Sequence, residues 1–396
     1  MYLRDNYYMR DFLRRLKNQS INSKVDRLIY ECEQIDSIQD YQIFKKFVIE
    51  KIKSQPENGM LTKKEFGSEG LLYGHRDAFF KYAGIESGEQ RFIFPYFEHG
   101  ADLREKGILS VQEQGNHSFV FQAPYKNEMV HRVRPMSPVY NIGPYILYAK
   151  PYFNNETYSF LKKKNGRTAL LFPAHTFEGA SVNFDKKKFV KDVFDKFRNQ
   201  YDTIMVSVYW NDVDDPIYEI FESEGAKLVS AGFRGDPNFI ARQRAMIDLS
   251  DVVASNLTGS YIGYAMALNK PFYMFSDRAT LTDASNLGNN EEERRYALTI
   301  DSMFVAFSSL TPSDEQIEQQ RGIFEKFWGG MKHFKTVEEA RIIINLSSKL
   351  LNACKGTTNG YEQVIKDTLK GGNKINVSDN EMIILLKSLN LDHKFQ

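Results

Sequence analysis

Thr168-Ala-Leu-Leu-Phe172 is an apolar run that stops at Pro173-Ala-His175, and the chain beyond it repeats the same grammar. A segment with Phe189, Val190, Val193, Phe194 and Phe197 on one helical face follows. Next come a strand at Thr203-Ile-Met-Val-Ser-Val-Tyr-Trp210, a short helix at Pro216–Ser223 closed by Gly225, and a strand at Lys227-Leu-Val-Ser230. A helix at Phe239–Leu249, a strand at Asp251-Val-Val-Ala-Ser255, a helix at Ser260–Leu268 and a strand at Pro271–Phe275 complete the series. Strand and helix in strict alternation imply a parallel sheet with right-handed crossovers. An eight-fold barrel needs more repeats than the chain supplies, so a doubly wound, Rossmann-like α/β domain is predicted.

Working outward, residues 1–60 read as helical, with Tyr8, Met9, Phe12, Leu13 and Leu16 on one face. Arg4, Arg10, Arg14, Arg15 and Lys17 make that opening basic. The first reading is a solvated face; the second is peripheral docking on an anionic membrane. Residues 61–160 form the expected second α/β lobe. It is carried by the strand-like run Arg91-Phe-Ile-Phe-Pro-Tyr-Phe97, the extended run Ser118–Gln122 and the aromatic, turn-rich stretch Ser137–Tyr148. A hinge is expected near Pro151–Arg167, where Asn, Lys and Gly accumulate. The strand–helix unit is assigned to 161–310 and a helical tail to 311–396, with amphipathic segments at Asp314–Trp328 and Thr336–Leu351. Ser378 with Glu381 three residues on is a capping box.

Composition narrows the function. Across 396 residues, 42% hydrophobic and 26% charged is ordinary globular usage and excludes a disordered chain, a collagen-like fibre or a coiled-coil rod. Lys+Arg 52 against Asp+Glu 51 gives +1, so no global basic field for nucleic acid exists and no nucleic-acid partner is expected. Two distant cysteines, Cys32 and Cys354, argue against a disulfide framework or a cysteine-built zinc site. No apolar run long enough to span a membrane and no secretory signal is read, which points to a cytoplasmic protein.

Ligands of an open parallel sheet bind beyond the carboxyl ends of its strands. Those positions are Pro173–Glu178, Asn211–Asp215, Gly232–Asp236, Asn256–Ser260 and Ser276–Arg278. Asn256-Leu-Thr258-Gly259-Ser260 opens a helix, where N–H groups, hydroxyls and the helix dipole favour a phosphate; the alternative is an ordinary N-cap. The stretch is neither Gly-x-Gly-x-x-Gly nor a Walker A, which weakens NAD and P-loop readings. His175 could donate to a phosphate oxygen, and Glu178 could accept from sugar or ribose hydroxyls. Asp212-Val-Asp214-Asp215 has the spacing of an Asp-x-Asp site for Mn²⁺ or Mg²⁺, but reads first as a solvated acidic turn capping the helix from Pro216. No metal and no resident cofactor is expected. In the other lobe, Glu98-His99-Gly100-Ala101-Asp102 follows a strand, and Glu98, His99 or Asp102 could act as general base on a hydroxyl; the alternative is a structural turn. Asp77 in Tyr73-Gly-His-Arg-Asp77 is a weaker rival.

These residues resemble bacterial glycosyltransferases of the GT-B type that build capsule and lipopolysaccharide sugars. The likeness is carried by Glu98-His-Gly100, Pro138–Tyr148, Phe172-Pro-Ala-His-Thr-Phe-Glu-Gly179, Val208-Tyr-Trp-Asn-Asp212, Ser230-Ala-Gly-Phe-Arg-Gly-Asp236, and Asp251–Asn256 through Gly259–Tyr264 to Lys270-Pro271. It implies two Rossmann-like domains facing a cleft, with extra terminal helices of which at least one crosses back to the N-terminal lobe. It further implies a nucleotide-sugar donor as substrate, a saccharide or lipid-linked acceptor, and inverting, metal-independent transfer. The donor-binding residues would be His175, Thr176, Glu178, Arg234, Asn256, Thr258, Gly259 and Ser260. In CMP-sugar members a His-Pro element holds the phosphate, whereas here Thr176 follows His175. Teichoic-acid polymerases use a CDP-alcohol on a similar scaffold, so phosphotransfer is an alternative, as are nucleotide-sugar epimerisation and a non-enzymatic binding protein.

Overall fold

The computed structural model describes residues 27–54, 69–85, 95–98, 100, 103, 118–176, 180–283, 291–354, 360–371 and 375–391. The expected face at Tyr8–Leu16 and the run 91–94 lie outside these residues. The chain is α/β, built on two parallel sheets. The larger has five strands: β4 (Thr168–Phe172), β6 (Thr203–Ser207), β7 (Lys227–Val229), β8 (Val252–Ser255) and β9 (Phe272–Met274). Its spatial order is β7-β6-β4-β8-β9, all parallel. Numbered within the sheet, that is third-second-first-fourth-fifth, the doubly wound order, and the direction of winding reverses between β4 and β8. The smaller sheet is β1 (Tyr96–Phe97), β2 (Phe119–Phe121) and β3 (Val139–Asn141), also parallel.

Period-two burial explains the layering. In β4 all five residues are buried. Leu170 and Phe172 join Met205, Val229 and Val253 in one core, while Ala169 and Leu171 join Ile204, Val206, Leu228 and Val252 in the other. The first core continues without a break through Phe79, Phe97, Val120 and Tyr145, so it serves both sheets. The second is covered by the helix Lys186–Phe197 and by N-terminal residues Cys32, Tyr41, Phe44, Val48 and Ile52. Arg242 ties that N-terminal layer down. Its buried guanidinium pairs with Asp236, and its Nη2 donates to Ile35 O at 3.0 Å, serving carbonyls where the helical stretch 27–33 ends.

Two features depart from the sequence expectation. The hinge expected near Pro151–Arg167 is instead a helix, Asn155–Asn165, because Asn154 caps it by accepting from Thr157 N at 2.8 Å. Gly166, at φ 63°, then turns the chain into β4. A two-stranded antiparallel ribbon, β5 (Ala180–Asn183) with β10 (Thr280–Asp283), follows the first loop and was not anticipated. Beneath it Ala174, Leu257 and Ala279 form a small apolar cluster with Val182 and Phe184. Of the strand-like run 91–97 the structure describes residues 95–97, and Tyr96–Phe97 is strand as expected.

The C-terminal helices brace the smaller lobe. The helix Val337–Ala353 packs on His75–Tyr82, with Arg341 Nε donating to Ala83 O at 2.7 Å. The expected capping box at Ser378/Glu381 is formed, and a second stands at Thr336/Glu339. Trp328, fully buried at the end of Asp314–Trp328, lies flat against Gly263 of the helix Ser260–Ala267; a Cβ on Gly263 would fall 2.1 Å from the indole. Gly263→Ala is therefore expected to overpack this crossing and cost about 1–3 kcal/mol in equilibrium denaturation. An unchanged midpoint would show that the two helices can part without cost.

Candidate functional site

The switch point between β4 and β8 brings His175 and Thr176, which follow β4, near Asn256, Thr258, Gly259 and Ser260, which follow β8. After β8, Ser255 Oγ accepts from Leu257 N at 3.0 Å and bends the chain. Tyr261 then pins the turn: its hydroxyl donates to Leu257 O at 2.6 Å and its ring stacks on Phe172 at 4.8 Å. Gly259 is required by that close approach, since a Cβ there would meet the Tyr261 ring at 2.6 Å. The helix Ser260–Ala267 consequently starts with glycine as its N-cap and no side-chain cap, leaving N–H donors at the crevice for an external acceptor. Thr258 and Ser260 are half-buried beside it.

Asn256 spans the switch point. It is fully buried, its Oδ1 accepts from Ala174 N at 2.9 Å, and its main-chain carbonyl accepts from Ala279 N at 3.2 Å. Its Nδ2 is buried with no hydrogen-bond partner among the described residues. A buried amide with an unmatched donor is costly unless a ligand oxygen meets it.

On the β4 side, His175 stacks on Tyr209 with ring centroids 4.2 Å apart. His175 Nδ1 lies 3.0 Å from Thr176 O. A carbonyl only accepts, so Nδ1 carries the proton of the neutral ring. Burial holds the imidazole below its ordinary value, against a smaller opposing pull from Asp212. Thr176 is clamped in turn: its N–H donates to Asp212 Oδ2 at 2.7 Å, its hydroxyl donates to Asp212 Oδ1, and it accepts from Asn211 Nδ2 at 3.1 Å. Arg234 is buried with its guanidinium over Trp210, 5.3 Å from the ring centre, and its carbonyl accepts from Tyr73 N at 2.6 Å. Glu178 lies outside the described residues.

The smaller lobe meets this crevice through Glu98 and Gly100. A Cβ on Gly100 would sit 3.5 Å from Ser260 Oγ, so the turn after β1 touches the helix start after β8. Glu98 is buried and ion-paired with the buried Lys126, and proton abstraction by it would first have to part that pair. His99 and Asp102 lie outside the described residues. His75 joins the lobes: Nδ1 is 3.4 Å from Glu98 O and Nε2 is 3.3 Å from Tyr264 Oη. Asp77, the weaker rival, is buried in the same helix. Sequence reasoning passed over Tyr73, His75, Lys126 and Tyr209. The one available signal was Gly74, which sits at φ 66° with Pro237 O only 2.4 Å from where a Cβ would be.

The acidic run 212–215 is not a solvated turn throughout. Asp212 is buried on Thr176, Asp214 pairs with Lys53 and Asp215 with Lys186, while Asp215 also caps the following helix through Ile217 N. Among the described residues no group of three or more His, Cys, Asp or Glu could hold a metal ion, and no helix is long and apolar enough to cross a membrane. Cys32 and Cys354 are both buried and outside any disulfide.

No protein-family model matches the chain, and no curated protein matches it. Among solved structures, UDP-GlcNAc 2-epimerase from Neisseria meningitidis bound to UDP-GlcNAc is similar at 11% identity and a TM-score of 0.34, over 60% of this chain and 63% of that one. The chain thus spans less than two thirds of that structure's length.

Two expectations follow. Asn256→Ala should cost about 1–3 kcal/mol of stability, because Ala174 N–H loses its acceptor inside the fold. Unaltered denaturation would show that this bond does not hold the switch point. Burial also keeps His131, His175 and His333 below the ordinary 6.5. The unfolded chain protonates first as pH falls, so it binds more protons just below 6.5, and stability is full above that pH and declines beneath it. His175→Gln should flatten that slope by up to ~1.4 kcal/mol per pH unit; identical slopes in pH-dependent denaturation would contradict it.

Proposed function

We propose that this protein is a glycosyltransferase that moves a sugar from a nucleotide-sugar donor to a growing surface polysaccharide or glycolipid, inverting the anomeric centre without a catalytic metal. The observation that carries the reading is the switch point itself. A glycine-started helix and a buried amide with an unmatched donor at Asn256 lie there beside His175, with the turn after β1 in contact across the crevice. A glycine-capped helix start beside a buried amide suits the diphosphate or phosphate of a nucleotide.

In this reading residues 161–310 hold the donor and residues 61–160 present the acceptor. Asn256, Ser260 and the first N–H groups of the helix stabilise charge developing on the departing phosphate, the electrostatic contribution that is usually largest. A base in the segment Glu98–Asp102 takes the proton of the acceptor hydroxyl, which attacks the anomeric carbon in line. Glu98 is held by Lys126, which favours His99 or Asp102 for that role. Excluding water as the lobes close suppresses donor hydrolysis.

A thermal-shift and calorimetric screen of CMP, UDP, GDP and CDP, followed by donors incubated with and without acceptor, tests this. Ser260→Ala and His175→Ala are each expected to weaken nucleotide binding roughly ten- to a hundred-fold. The variant that removes the base, among Glu98→Ala, His99→Ala and Asp102→Ala, should lose ~10²–10⁴ in turnover with donor affinity nearly unchanged. Turnover should survive EDTA. An epimerised donor in the absence of acceptor, transfer of a phosphoalcohol, or activity abolished by chelation would each overturn the reading.

A further inference from the structure

We propose that Asp212 is a positioning residue, a bidentate clamp on Thr176 that fixes His175 in its Nδ1–H tautomer. Six contacts meet in a chain. The Asp212 carboxylate receives both the N–H and the hydroxyl of Thr176. Asn211 Nδ2 donates to that hydroxyl at 3.1 Å, so the threonine oxygen is used once as donor and once as acceptor. The Thr176 carbonyl, on the same clamped residue, receives Nδ1–H of His175 at 3.0 Å. The His175 ring lies on Tyr209, whose own carbonyl accepts from Asp212 N at 3.0 Å, so clamp and stacking platform belong to one turn.

The carboxylate is buried, and its two acidic neighbours have cations of their own, Lys53 on Asp214 and Lys186 on Asp215. The Asp-x-Asp spacing thus serves a protein-internal purpose. The carboxylate acts through Thr176 and has no need to touch a substrate. A histidine held as the Nδ1–H tautomer keeps its remaining lone pair on Nε2. That the tautomer bears on nucleotide binding rests on the nucleotide-sugar reading; the clamp rests on the contacts alone.

The test uses the full chain labelled with ¹⁵N-histidine, with the His175 signals assigned by their loss in His175→Gln. The wild type should show the Nδ1-protonated pattern. Asp212→Ala should give the mixed pattern of an unrestrained imidazole and weaken binding of CMP, UDP, GDP or CDP, whichever the wild type binds, by about ten-fold. Asp212→Asn, which can still accept from Thr176 N and donate to its hydroxyl, should keep the wild-type pattern and most of the affinity. Thr176→Ser should behave as wild type and Thr176→Val should lie between; these two carry the test if Asp212→Ala does not fold. An unchanged Nδ1–H pattern in Asp212→Ala, or specific broadening of the His175 signals by Mn²⁺, would overturn the clamp. If no nucleotide binds while the tautomer still responds to Asp212, the clamp stands and the donor reading falls. If nucleotides bind and the tautomer ignores Asp212, the reverse holds.

Discussion

Burial of β4 on both faces is the constraint from which the rest of the structure follows. A strand with no solvent face must be covered twice, and the two cores divided by Leu170/Phe172 and Ala169/Leu171 answer that demand. Because β4 is central, the chain can leave it only by crossing over one face and then the other, toward β6 on one side and β8 on the other. The loops after β4 and β8 must therefore part, and the crevice between them is a product of packing before it is a product of any ligand.

What fills that crevice is unusually polar for so enclosed a place. Asn256, Asp212, Arg234, Glu98 and Lys126 are all buried. Buried polar groups persist only when matched. Asp212 is matched by Thr176, Glu98 by Lys126, and Asn256 Oδ1 by Ala174 N, whereas Asn256 Nδ2 is matched by nothing among the described residues. The glycines nearby answer to space: Gly259 admits the Tyr261 ring and Gly74 admits Pro237 O. His75 and the Gly100–Ser260 contact then bring the smaller sheet to the same point.

The large sheet was readable because its strands are short apolar runs between helices with clear periodicity, and the helix start at Ser260 because Thr258 and Gly259 stand directly before it. The ribbon β5–β10 was not readable, since Ala180–Asn183 pairs with a segment far along the chain and carries no alternation of its own. The helix Asn155–Asn165 was mistaken for a hinge because its polar composition hid a cap that only Asn154 reveals. At the site, His175 and Asn256 were found by their place after strands. Lys126 and His75 were not, because their roles come from tertiary neighbours that spacing does not encode. Asp212 looked like a metal ligand or a surface turn because sequence shows the carboxylate and not the Thr176 N–H it faces.

The most direct measurement of the central claim is a crystal structure with a nucleoside diphosphate or nucleotide-sugar soaked at saturation. The account predicts phosphate density at the start of the helix Ser260–Ala267, within hydrogen-bond reach of Asn256 Nδ2 and beside His175, with the sugar side toward the turn that follows Glu98. Phosphate bound elsewhere on the chain, with Asn256 Nδ2 still unmatched, would contradict it.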